Sequence, residues 1–381
     1  MTGRSLQIAF IGGRGVGGVY SGIETYYEEV GSRLATRGHS VTAYCRPHFT
    51  PDVPSFRGIR IRRLPCVRGK HLETISHSFL STLDTLRQPF DIVHYHAIGS
   101  AVLSLLPRLA RRVTLLSVHG LDWRRAKWGG FARTFLKFGE WASAHCPTAT
   151  VVVSRTLQQH YAAAHRLEPY CIPNAMVPCV PRRIERIARY GLERDGFILF
   201  AGRLSPEKGV DVLIEAMRPF QGRVKLVLAG GSSYSDGYID ALRRAAGEDV
   251  LFLGNVDRDT MNELYSNCYA FVLPSAMEGL SISLLEALSF GACILSTNIP
   301  ENLEVVGSAA LLFTPGDVAG LRALLQQIIE HPETRREYRQ RAAAQAATQP
   351  DWDEVTSLTE RFYYDLLERR SRNAALEPAP A

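Results

Sequence analysis

Short apolar runs rich in strand-forming residues alternate with amphipathic helical stretches along almost the whole chain. In the first half, six of these runs predict strands, over residues 7–12, 41–45, 59–64, 92–96, 113–119 and 150–154. Helical patterns lie between several of them, and the pattern over 24–37 stops at Gly38, the residue type that commonly follows a helix. Strands that alternate with helices predict an α/β fold whose parallel sheet is covered on both faces.

The alternation starts again after a Pro- and Arg-rich stretch at 178–189. Six more strands are predicted, over 197–202, 225–229, 250–253, 270–273, 292–296 and 310–313, with helical segments after them such as 210–217 and 281–290. We therefore expect two doubly wound, Rossmann-like domains, over 1–185 and 186–350, that face each other across a ligand-binding cleft. An amphipathic helix over 351–372 is expected to pack back toward the first domain, before a disordered tail over 373–381.

Composition excludes several classes of protein. Hydrophobic residues make up 46% of the 381 residues and charged residues 22%, which excludes disorder over most of the length. The seven cysteines are scattered and form no C-x-x-C pair, so the sequence indicates neither a disulfide framework nor a zinc site and favours a reducing cytoplasm. Residues 1–13 lack a signal-peptide pattern, and the apolar stretch 98–110 is interrupted by Pro107 and Arg108, so neither export nor a membrane span is expected.

Charge is distributed unevenly along the chain. Residues 1–200 contain 27 basic and 13 acidic side chains, whereas residues 201–381 contain 17 and 25. A basic half favours an anionic partner, which could be a phosphorylated substrate, an anionic lipid surface or nucleic acid. The alternative is a solvated surface with no such partner.

A glycine-rich loop follows the first predicted strand. It contains Gly13, Gly15 and Gly18 at the spacing of a dinucleotide-binding loop, whose amides approach a phosphate closely. The helix does not start until Gly22 or later, however, and the second strand ends in Arg46 where an acidic residue would bind a ribose. The sequence therefore favours a mobile substrate loop over a nicotinamide or flavin site.

His119 stands at the carboxyl end of the fifth predicted strand. A histidine there, with Asp122 nearby, can contact a substrate hydroxyl or a developing charge. The alternative is local packing of this ring against Trp123. His94 and His96 end the neighbouring strand, but no carboxylate has the spacing to complete a metal site with them, so no metal is expected.

Arg203 and Lys208 follow the first strand of the second half and precede a helix. A guanidinium, an ammonium and a helix N-terminus together suit a diphosphate. The alternative is a solvated loop that carries these charges by chance.

Two glutamates, Glu278 and Glu286, are the most informative pair of residues. If Glu278 lies in a loop and Glu286 in a helix, both can serve one extended ligand. Gly279 and the amides of Leu280 and Ser281 would then face a sugar and phosphate, and Glu286 would accept hydrogen bonds from a ribose diol. A carboxylate in so apolar a helix is costly unless it is paired, so the alternative is a structural ion pair.

Two further patterns favour simpler explanations. Asp257 and Asp259 have the spacing of a metal-binding sugar-nucleotide motif, but Thr260 and Glu263 follow as a capping box, which favours helix initiation. The stretch 123–141 interleaves basic and aromatic residues, a composition suited to single-stranded nucleic acid or a membrane interface. We favour a basic acceptor-side surface docked on a bilayer, with a solvated helix as the alternative.

Taken together, the chain resembles a family-four glycosyltransferase of the GT-B architecture over nearly its whole length. The motifs that carry the resemblance are residues 21–24, 38–42, 118–120, 172–174 and 202–209, and the two glutamates Glu278 and Glu286. Residues 119–128 are further similar to a bacterial subgroup that includes rhamnosyltransferases of surface-polysaccharide assembly. Ser21 and Ala175 depart from the family pattern, which usually has glycine at both positions.

The resemblance implies transfer of a sugar from a nucleoside diphosphate donor, with retention of anomeric configuration and no metal or other cofactor. The first domain would bind the acceptor and the second the donor. The implied catalytic residues are His119, Arg203, Lys208 and Glu278. The implied donor-binding residues are Gly22, Arg203, Lys208, Asn255, Val256, Glu278, Gly279, Leu280, Ser281 and Glu286. The acceptor-side candidates are Arg14, Glu24, Asp122 and Trp123.

The implied partners are a nucleotide-sugar donor and a glycan or polyprenyl-diphosphate-linked acceptor, used in bacterial exopolysaccharide biosynthesis. The protein is expected in the cytoplasm, in peripheral contact with the anionic inner membrane surface, and no nucleic-acid partner is expected. A sugar-nucleotide epimerase of the same fold and a non-catalytic nucleotide-sugar-binding protein are the alternatives. An epimerase would change the donor without an acceptor, and a binding protein would turn nothing over.

Overall fold

The computed structural model describes residues 3–18, 22–69, 72–124, 129–176, 179, 181–231 and 236–376. Within these residues the chain forms two compact units. The first contains the described residues up to Asn174 and those from Trp352 onward, and the second contains those of Ala175–Asp351. Each unit is built on one open sheet, as the repeated alternation of strands and helices predicts.

The sheet of the first unit has eight strands. They are β1 (Gln7–Ile11), β2 (Ser40–Cys45), β3 (Ser55–Phe56), β4 (Ile59–Arg63), β5 (Ile92–Tyr95), β6 (Val113–Val118), β7 (Ala149–Val152) and β8 (Tyr170–Cys171). Their order is β3-β4-β2-β1-β5-β6-β7-β8, and only the β3–β4 pair is antiparallel. Strands β5 and β6 are buried along their whole length, because helices cover both faces of a parallel sheet.

All six strands predicted in the first half are confirmed. Strands β3 and β8 were not predicted, since two residues are too few to show a periodic pattern. The helices among the first 174 residues are α1 (Gly22–Thr36), α2 (Glu73–Leu86), α3 (Leu105–Leu109), α4 (Gly130–His145) and α5 (Arg155–His165).

The sheet of the second unit has six strands, all parallel. They are β9 (Phe197–Ala201), β10 (Lys225–Ala229), β11 (Val250–Gly254), β12 (Ala270–Leu273), β13 (Ile294–Thr297) and β14 (Ala310–Phe313), in the order β11-β10-β9-β12-β13-β14. Helices α6 (Val210–Met217), α7 (Asp236–Ala245), α8 (Arg258–Asn267), α9 (Ile282–Ser289), α10 (Pro300–Val306), α11 (Val318–Glu330) and α12 (Pro332–Ala346) accompany them. The central strands β9 and β12 are fully buried in the apolar core.

The last helix, α13 (Trp352–Leu376), belongs to the first unit although it follows the second unit along the chain. Trp352 is buried, and its ring lies 6.3 Å from that of Tyr26. The hydroxyls of Tyr26 and Thr359 share a hydrogen bond of 3.3 Å, and Tyr363 Oη lies 2.7 Å from His94 Nδ1. The amphipathic helix therefore completes the core around β1 and β5.

Helix α13 is longer than its sequence pattern predicts. It continues to Leu376, so residues 373–376 are helical and not part of a disordered tail, while 377–381 lie outside the described residues. The three apolar residues after Asn373 are too few to show a helical period, so the sequence does not predict this last turn. In the part of the chain that the structure describes, no helix combines the length and apolar character needed to cross a membrane.

Candidate functional site

In the first unit, the glycine-rich loop is held by helix α1. The amide of Gly13 donates to Tyr27 Oη at 3.0 Å, that of Arg14 to Glu24 Oε1 at 2.8 Å, and that of Gly17 to a carboxylate oxygen of Glu28 at 2.7 Å. Glu24, an acceptor-side candidate, is buried and fixes the conformation of Arg14. A phosphate bound to these amides would have to replace the hydroxyl and the two carboxylates that already accept from them.

Gly12 shows why this loop starts with glycine. Its φ of +108° lies in a region that L side chains rarely adopt, and a Cβ there would lie 2.8 Å from the carbonyl oxygen of His96. The backbone after β1 therefore packs directly on the backbone after β5. Gly22 begins α1, whereas residues 19–21, including the predicted motif position Ser21, lie outside the described residues.

Three histidines line the carboxyl ends of β5 and β6. His96 Nδ1 lies 3.2 Å from His119 Nε2, and their rings stack with centroids 5.5 Å apart. His94 Nε2 lies 2.7 Å from Ser117 Oγ. Burial lowers the pKa of His119 to about 4, although Asp122 opposes that shift, and it lowers the pKa values of His94 and His96 well below the ordinary range. At neutral pH His119 is therefore a neutral imidazole that can exchange a hydrogen bond with a hydroxyl.

We expect these histidines to make the fold sensitive to acid. Because their pKa values are lower in the folded than in the unfolded chain, the unfolded chain binds more protons below about pH 6.5. The free energy of unfolding should then fall as the pH drops from about 7 to about 5. Urea unfolding over this range measures the slope, which should become shallower in His119→Gln. His331→Gln, at an exposed histidine, should keep the wild-type slope, and equal slopes in all three proteins would contradict the assignment.

Trp123 is positioned by a buried carboxylate. Its indole Nε1 donates to Glu140 on α4, and the other carboxylate oxygen lies 2.7 Å from His160 Nε2 and 2.8 Å from His165 Nε2. Burial alone would raise the pKa of Glu140, but the hydrogen bonds from His165, His160 and Trp123 hold it below its usual range. The ring of Trp123 also faces a cation, Lys137 Nζ, 4.9 Å from its centroid.

Sequence reasoning missed Glu140 and its two histidines. The available signal was a glutamate within the amphipathic helix α4, between Gly139 and Trp141. Asp122 and Trp123 lie together in a short 3-10 turn, Asp122–Arg124. The rings found beside His119 are those of His96 and Tyr26, and residues 125–128 of the predicted basic and aromatic stretch lie outside the described residues.

In the second unit, two loops meet at the carboxyl ends of β9 and β12. Lys208 Nζ donates to Glu278 Oε1 at 2.5 Å, and both side chains are largely buried. The amide of Ala276 donates to the carbonyl of Glu207 at 2.9 Å, which joins the same two loops through their backbones. Arg203 is half-buried in the first of these loops, just after β9. Two predicted catalytic residues from distant parts of the sequence are thus in direct contact.

Glu278 lies in the loop after β12, and Glu286 lies inside α9, the arrangement that the spacing required. Ser281 is the N-cap of α9, and its hydroxyl accepts from the amide of Leu284. Gly279 is buried and Leu280 half-buried between the glutamate and this cap. Glu278, the partner of Lys208, and the N-terminus of α9 therefore belong to one continuous polypeptide segment.

Glu286 has two partners that the sequence did not predict. Arg258 Nη1 donates to its Oε1, and Tyr265 Oη donates to its Oε2 at 3.0 Å. Both partners come from α8, so one helix orients a carboxylate of another. Burial and this neighbouring carboxylate raise the pKa of Tyr265, which keeps its hydroxyl a donor. The ion pair that was the simpler explanation of Glu286 exists, and the carboxylate is half-buried.

Asn255 and Val256 follow β11 at the same edge of the sheet. Asn255 is exposed, and its side chain lies close to Gly231. A Cβ on Gly231 would lie 2.9 Å from the side-chain oxygen of Asn255. Val256 is partly buried against the core. These positions are adjacent to the start of α8, which supplies Arg258.

The start of α8 corrects one prediction. The N-cap is Asp257, whose side chain accepts from the amide of Thr260 at 2.8 Å, so the predicted capping box at Thr260 and Glu263 was wrong. Glu263 instead accepts from the backbone amides of residues 185–187. Glu263 thus binds a segment that is distant along the chain, and a local sequence pattern cannot show such a contact. Asp257 and Asp259 both contact the guanidinium of Arg186, which compensates their charge.

Comparison with known families divides the chain close to the boundary between the two units, which lies after Asn174. The family described as "Glycosyl transferase 4-like domain" matches residues 21–175, and the family described as "Glycosyl transferases group 1" matches residues 183–345. Among curated relatives, the O-antigen chain mannosyltransferase B of Escherichia coli is 30% identical over 198 residues, which are 50% of this chain and 51% of that protein. The chain thus spans about half the length of this relative.

A second relative and the solved structures extend the similarity. An uncharacterized glycosyltransferase of Methanocaldococcus jannaschii is 24% identical over 76% of this chain and 79% of its own length. The sucrose-phosphate synthase of Thermosynechococcus elongatus has a TM-score of 0.80 at 21% identity, over 96% of this chain and 100% of that one. Anabaena HepE, solved in complex with UDP-glucose, has a TM-score of 0.77 at 17% identity, over 94% and 100%. The chain therefore combines a glycosyl transferase 4-like domain with a glycosyl transferases group 1 domain, in the two-sheet fold of the GT-B glycosyltransferases.

Proposed function

We propose that the protein transfers a sugar from a nucleoside diphosphate donor to a hydroxyl of a glycan or polyprenyl-diphosphate-linked acceptor. The configuration at the anomeric carbon is retained, and no metal takes part in the transfer. The reaction belongs to bacterial surface-polysaccharide assembly. More specifically, the protein resembles rhamnosyltransferases in the sugar that it transfers. The observation that carries it is the group of Lys208, Glu278 and Glu286, three charged side chains assembled at one edge of the second sheet.

The donor would be held by groups of the second unit. Its diphosphate would be bound by Lys208 and Arg203, with Lys208 turning from Glu278 to the phosphate oxygens, and by the amides at the N-terminus of α9. The ribose diol would donate to Glu286, which Arg258 and Tyr265 keep oriented. An ionised carboxylate accepts stronger hydrogen bonds from a diol than a neutral group does.

The transfer breaks the bond between the anomeric carbon and the diphosphate and forms one to the acceptor oxygen. Negative charge grows on the departing diphosphate, so Arg203 and Lys208 would stabilise the transition state more than the bound donor. The acceptor hydroxyl passes its proton to the departing diphosphate oxygen as the new bond forms. In the first unit, the neutral ring of His119 is suited to hydrogen-bond a sugar hydroxyl without repelling a positive anomeric carbon.

A donor panel tests the proposal. The full chain is titrated with uridine, guanosine and thymidine diphosphate sugars, and affinity and slow donor hydrolysis are measured. We expect selective binding of one donor, and loss of about 100-fold or more in Glu286→Ala, because a charged hydrogen-bond partner and its orientation are lost together. Glu330→Ala, at an exposed glutamate of α11, should bind like the wild type.

The outcomes separate the alternatives. Transfer to a polyprenyl-diphosphate glycan supports the proposal, whereas conversion of the donor into an epimer without acceptor would identify an epimerase. Selective binding with no turnover under either condition would indicate a binding protein. A folded wild type that binds none of the donors contradicts the proposal altogether.

The acceptor side is proposed to meet an anionic bilayer surface. Helix α4 exposes Phe131, Phe135, Phe138 and Trp141 within one third of its circumference, with Lys137 on the same helix. Aromatic rings beside basic side chains suit the interface of an anionic membrane.

Vesicle co-sedimentation tests this contact. Wild type should bind vesicles that contain anionic lipid, and binding should weaken as salt rises. Phe131→Ser combined with Phe138→Ser should remove most of the binding, whereas Phe79→Ser, at an exposed phenylalanine of α2, should not. Binding that ignores both the lipid charge and these substitutions would contradict the proposal.

A further inference from the structure

A second cluster of reactive side chains lies in the first unit, in residues that the proposed transfer does not use. His48 follows β2, Cys66 follows β4, and Glu73 opens α2. Strands β2 and β4 are parallel neighbours, with Cys45 in register with Arg63, so the chain leaves both strands at the same edge of the sheet. The fold thus brings together an imidazole, a thiol and a carboxylate from three separate segments.

These three groups are close enough to share one ion. His48 Nε2, Cys66 Sγ and a carboxylate oxygen of Glu73 all lie within 4.8 Å of one another. Two of them are already in contact, since His48 Nε2 is 2.5 Å from Glu73 Oε1. The Glu73 side chain is 6% exposed and that of His48 is 24% exposed, so the cluster is largely shielded but open to solvent on the histidine side.

The carboxylate of Glu73 forms an ion pair with a buried arginine. Arg46 is buried, and its Nη1 lies 3.4 Å from Glu73 Oε2, the oxygen that does not contact His48. Arg46 Nη2 also donates to Thr74 Oγ1 at 3.0 Å, which fixes the guanidinium in place. Outer partners of this kind orient the ligands in protein metal sites.

One titratable neighbour of the cluster, a histidine, adds no charge. His77 lies one helical turn after Glu73 on α2 and is fully buried. Burial lowers its pKa to about 4, so the ring is neutral at physiological pH. Among the described residues, Arg46 and Arg68 are cations that act on the cluster, and both oppose the rise that burial causes in the pKa of the Cys66 thiol.

We propose that His48, Cys66 and Glu73 bind a borderline-soft divalent cation of the Zn²⁺ class. Nitrogen, sulfur and oxygen ligands of this kind suit Zn²⁺ and Co²⁺ and not Mg²⁺ or Ca²⁺, which prefer oxygen alone. The thiol releases its proton to solvent when the ion binds, and the thiolate and carboxylate then balance the two positive charges. Three protein ligands leave the fourth tetrahedral position to water.

The ion would tie the segments after β2 and β4 to the start of α2. Metal–ligand bonds of about 2.0 to 2.3 Å require the His48–Glu73 pair to open and Cys66 to move inward by a modest amount. Because the three segments converge only in the folded chain, binding should stabilise the fold. This site goes beyond the proposed transfer and does not depend on it.

Cobalt substitution tests the site in the full chain. After removal of bound metal with a chelator, Co²⁺ is titrated in and absorbance is recorded in the near-ultraviolet, where thiolate-to-Co²⁺ charge transfer absorbs, and in the visible. We expect one equivalent of a tetrahedral thiolate complex that Zn²⁺ displaces, together with a rise in Tm. Cys66→Ser should lose the charge-transfer band, and His48→Gln should weaken Co²⁺ binding at least about 10-fold.

Cys171→Ser is the matched control, since Cys171 is another half-buried cysteine of the first unit. Its Co²⁺ spectrum should equal that of the wild type. Absence of a thiolate band in the wild type would overturn the proposal, and so would a band that survives Cys66→Ser. If Cys66→Ser fails to fold, the test depends on His48→Gln, because the largely polar surroundings of His48 tolerate this change. A Co²⁺ affinity of His48→Gln equal to that of the wild type would then contradict the assignment.

Discussion

Lys208→Ala is expected to lower kcat by about 100- to 1000-fold while the protein stays folded. The ammonium stands beside Glu278 in a largely buried position, where a charge that stabilises the departing diphosphate is screened little by water. Its loss removes an interaction that strengthens as the diphosphate departs, so kcat should fall more than affinity for the donor. Initial rates with the donor identified by the panel measure both quantities.

Two variants sharpen this test. Arg203→Ala should show a loss of similar size, because both cations are proposed to contact the same diphosphate. Lys225→Ala removes a lysine from β10 of the same sheet, whose Nζ donates to the carbonyl of Gly191, and should leave turnover unchanged. A Lys208→Ala enzyme with normal kcat and a raised KM would make Lys208 a group that binds the donor without assisting its departure.

Gly209→Ala is expected to lower both stability and donor affinity. Gly209 has a φ of +65°, and a Cβ there would lie 2.4 Å from the carbonyl oxygen of Pro274. The substitution therefore adds backbone strain and forces apart the two loops that carry Lys208 and Glu278. We expect a loss of about 3 kcal/mol in the free energy of unfolding.

Gly222→Ala separates the two causes. Gly222 has a similar φ of +76°, but no atom lies within 4 Å of a Cβ placed there. This variant should lose about 1 kcal/mol from strain alone and keep wild-type donor affinity. Urea unfolding and donor titration of both variants measure the difference. If the two proteins lose equal stability, or if Gly209→Ala binds the donor normally, close approach of the two loops is not needed.

The sequence predicted what local patterns encode. Twelve runs predicted twelve of the strands, and the signal was clearest where a fully buried parallel strand such as β9 or β12 is apolar along its length. The spacing of Glu278 and Glu286 predicted one in a loop and one in a helix. Arg258, Tyr265 and Glu140 were not predicted, since each acts on a residue of another helix. Pairing between distant segments leaves no periodic signal, and the reassignment of Glu263 has the same cause.

The same limit applies to the cation site. The cysteine spacing indicated no zinc site, because the sequence shows a motif only when ligands are neighbours along one element. His48, Cys66 and Glu73 become neighbours only through the parallel pairing of β2 and β4. Candidate roles of His119, Arg203 and Lys208 in transfer remain predictions that the experiments above decide.

Helix α13 has a consequence for how the protein is made. Tyr26, His39 and His94 find hydrogen-bonding partners on α13 that lie 333, 321 and 269 residues away along the chain. During synthesis the second unit leaves the ribosome, at about 5 to 20 residues per second, before those partners exist. The first unit therefore cannot complete its core until α13 is made, and the apolar groove that α13 covers stays exposed until then. The second unit can already fold during this time. Cells that produce this protein thus face a period of exposure, tens of seconds at the slower rates, in which chaperones have a surface to recognise.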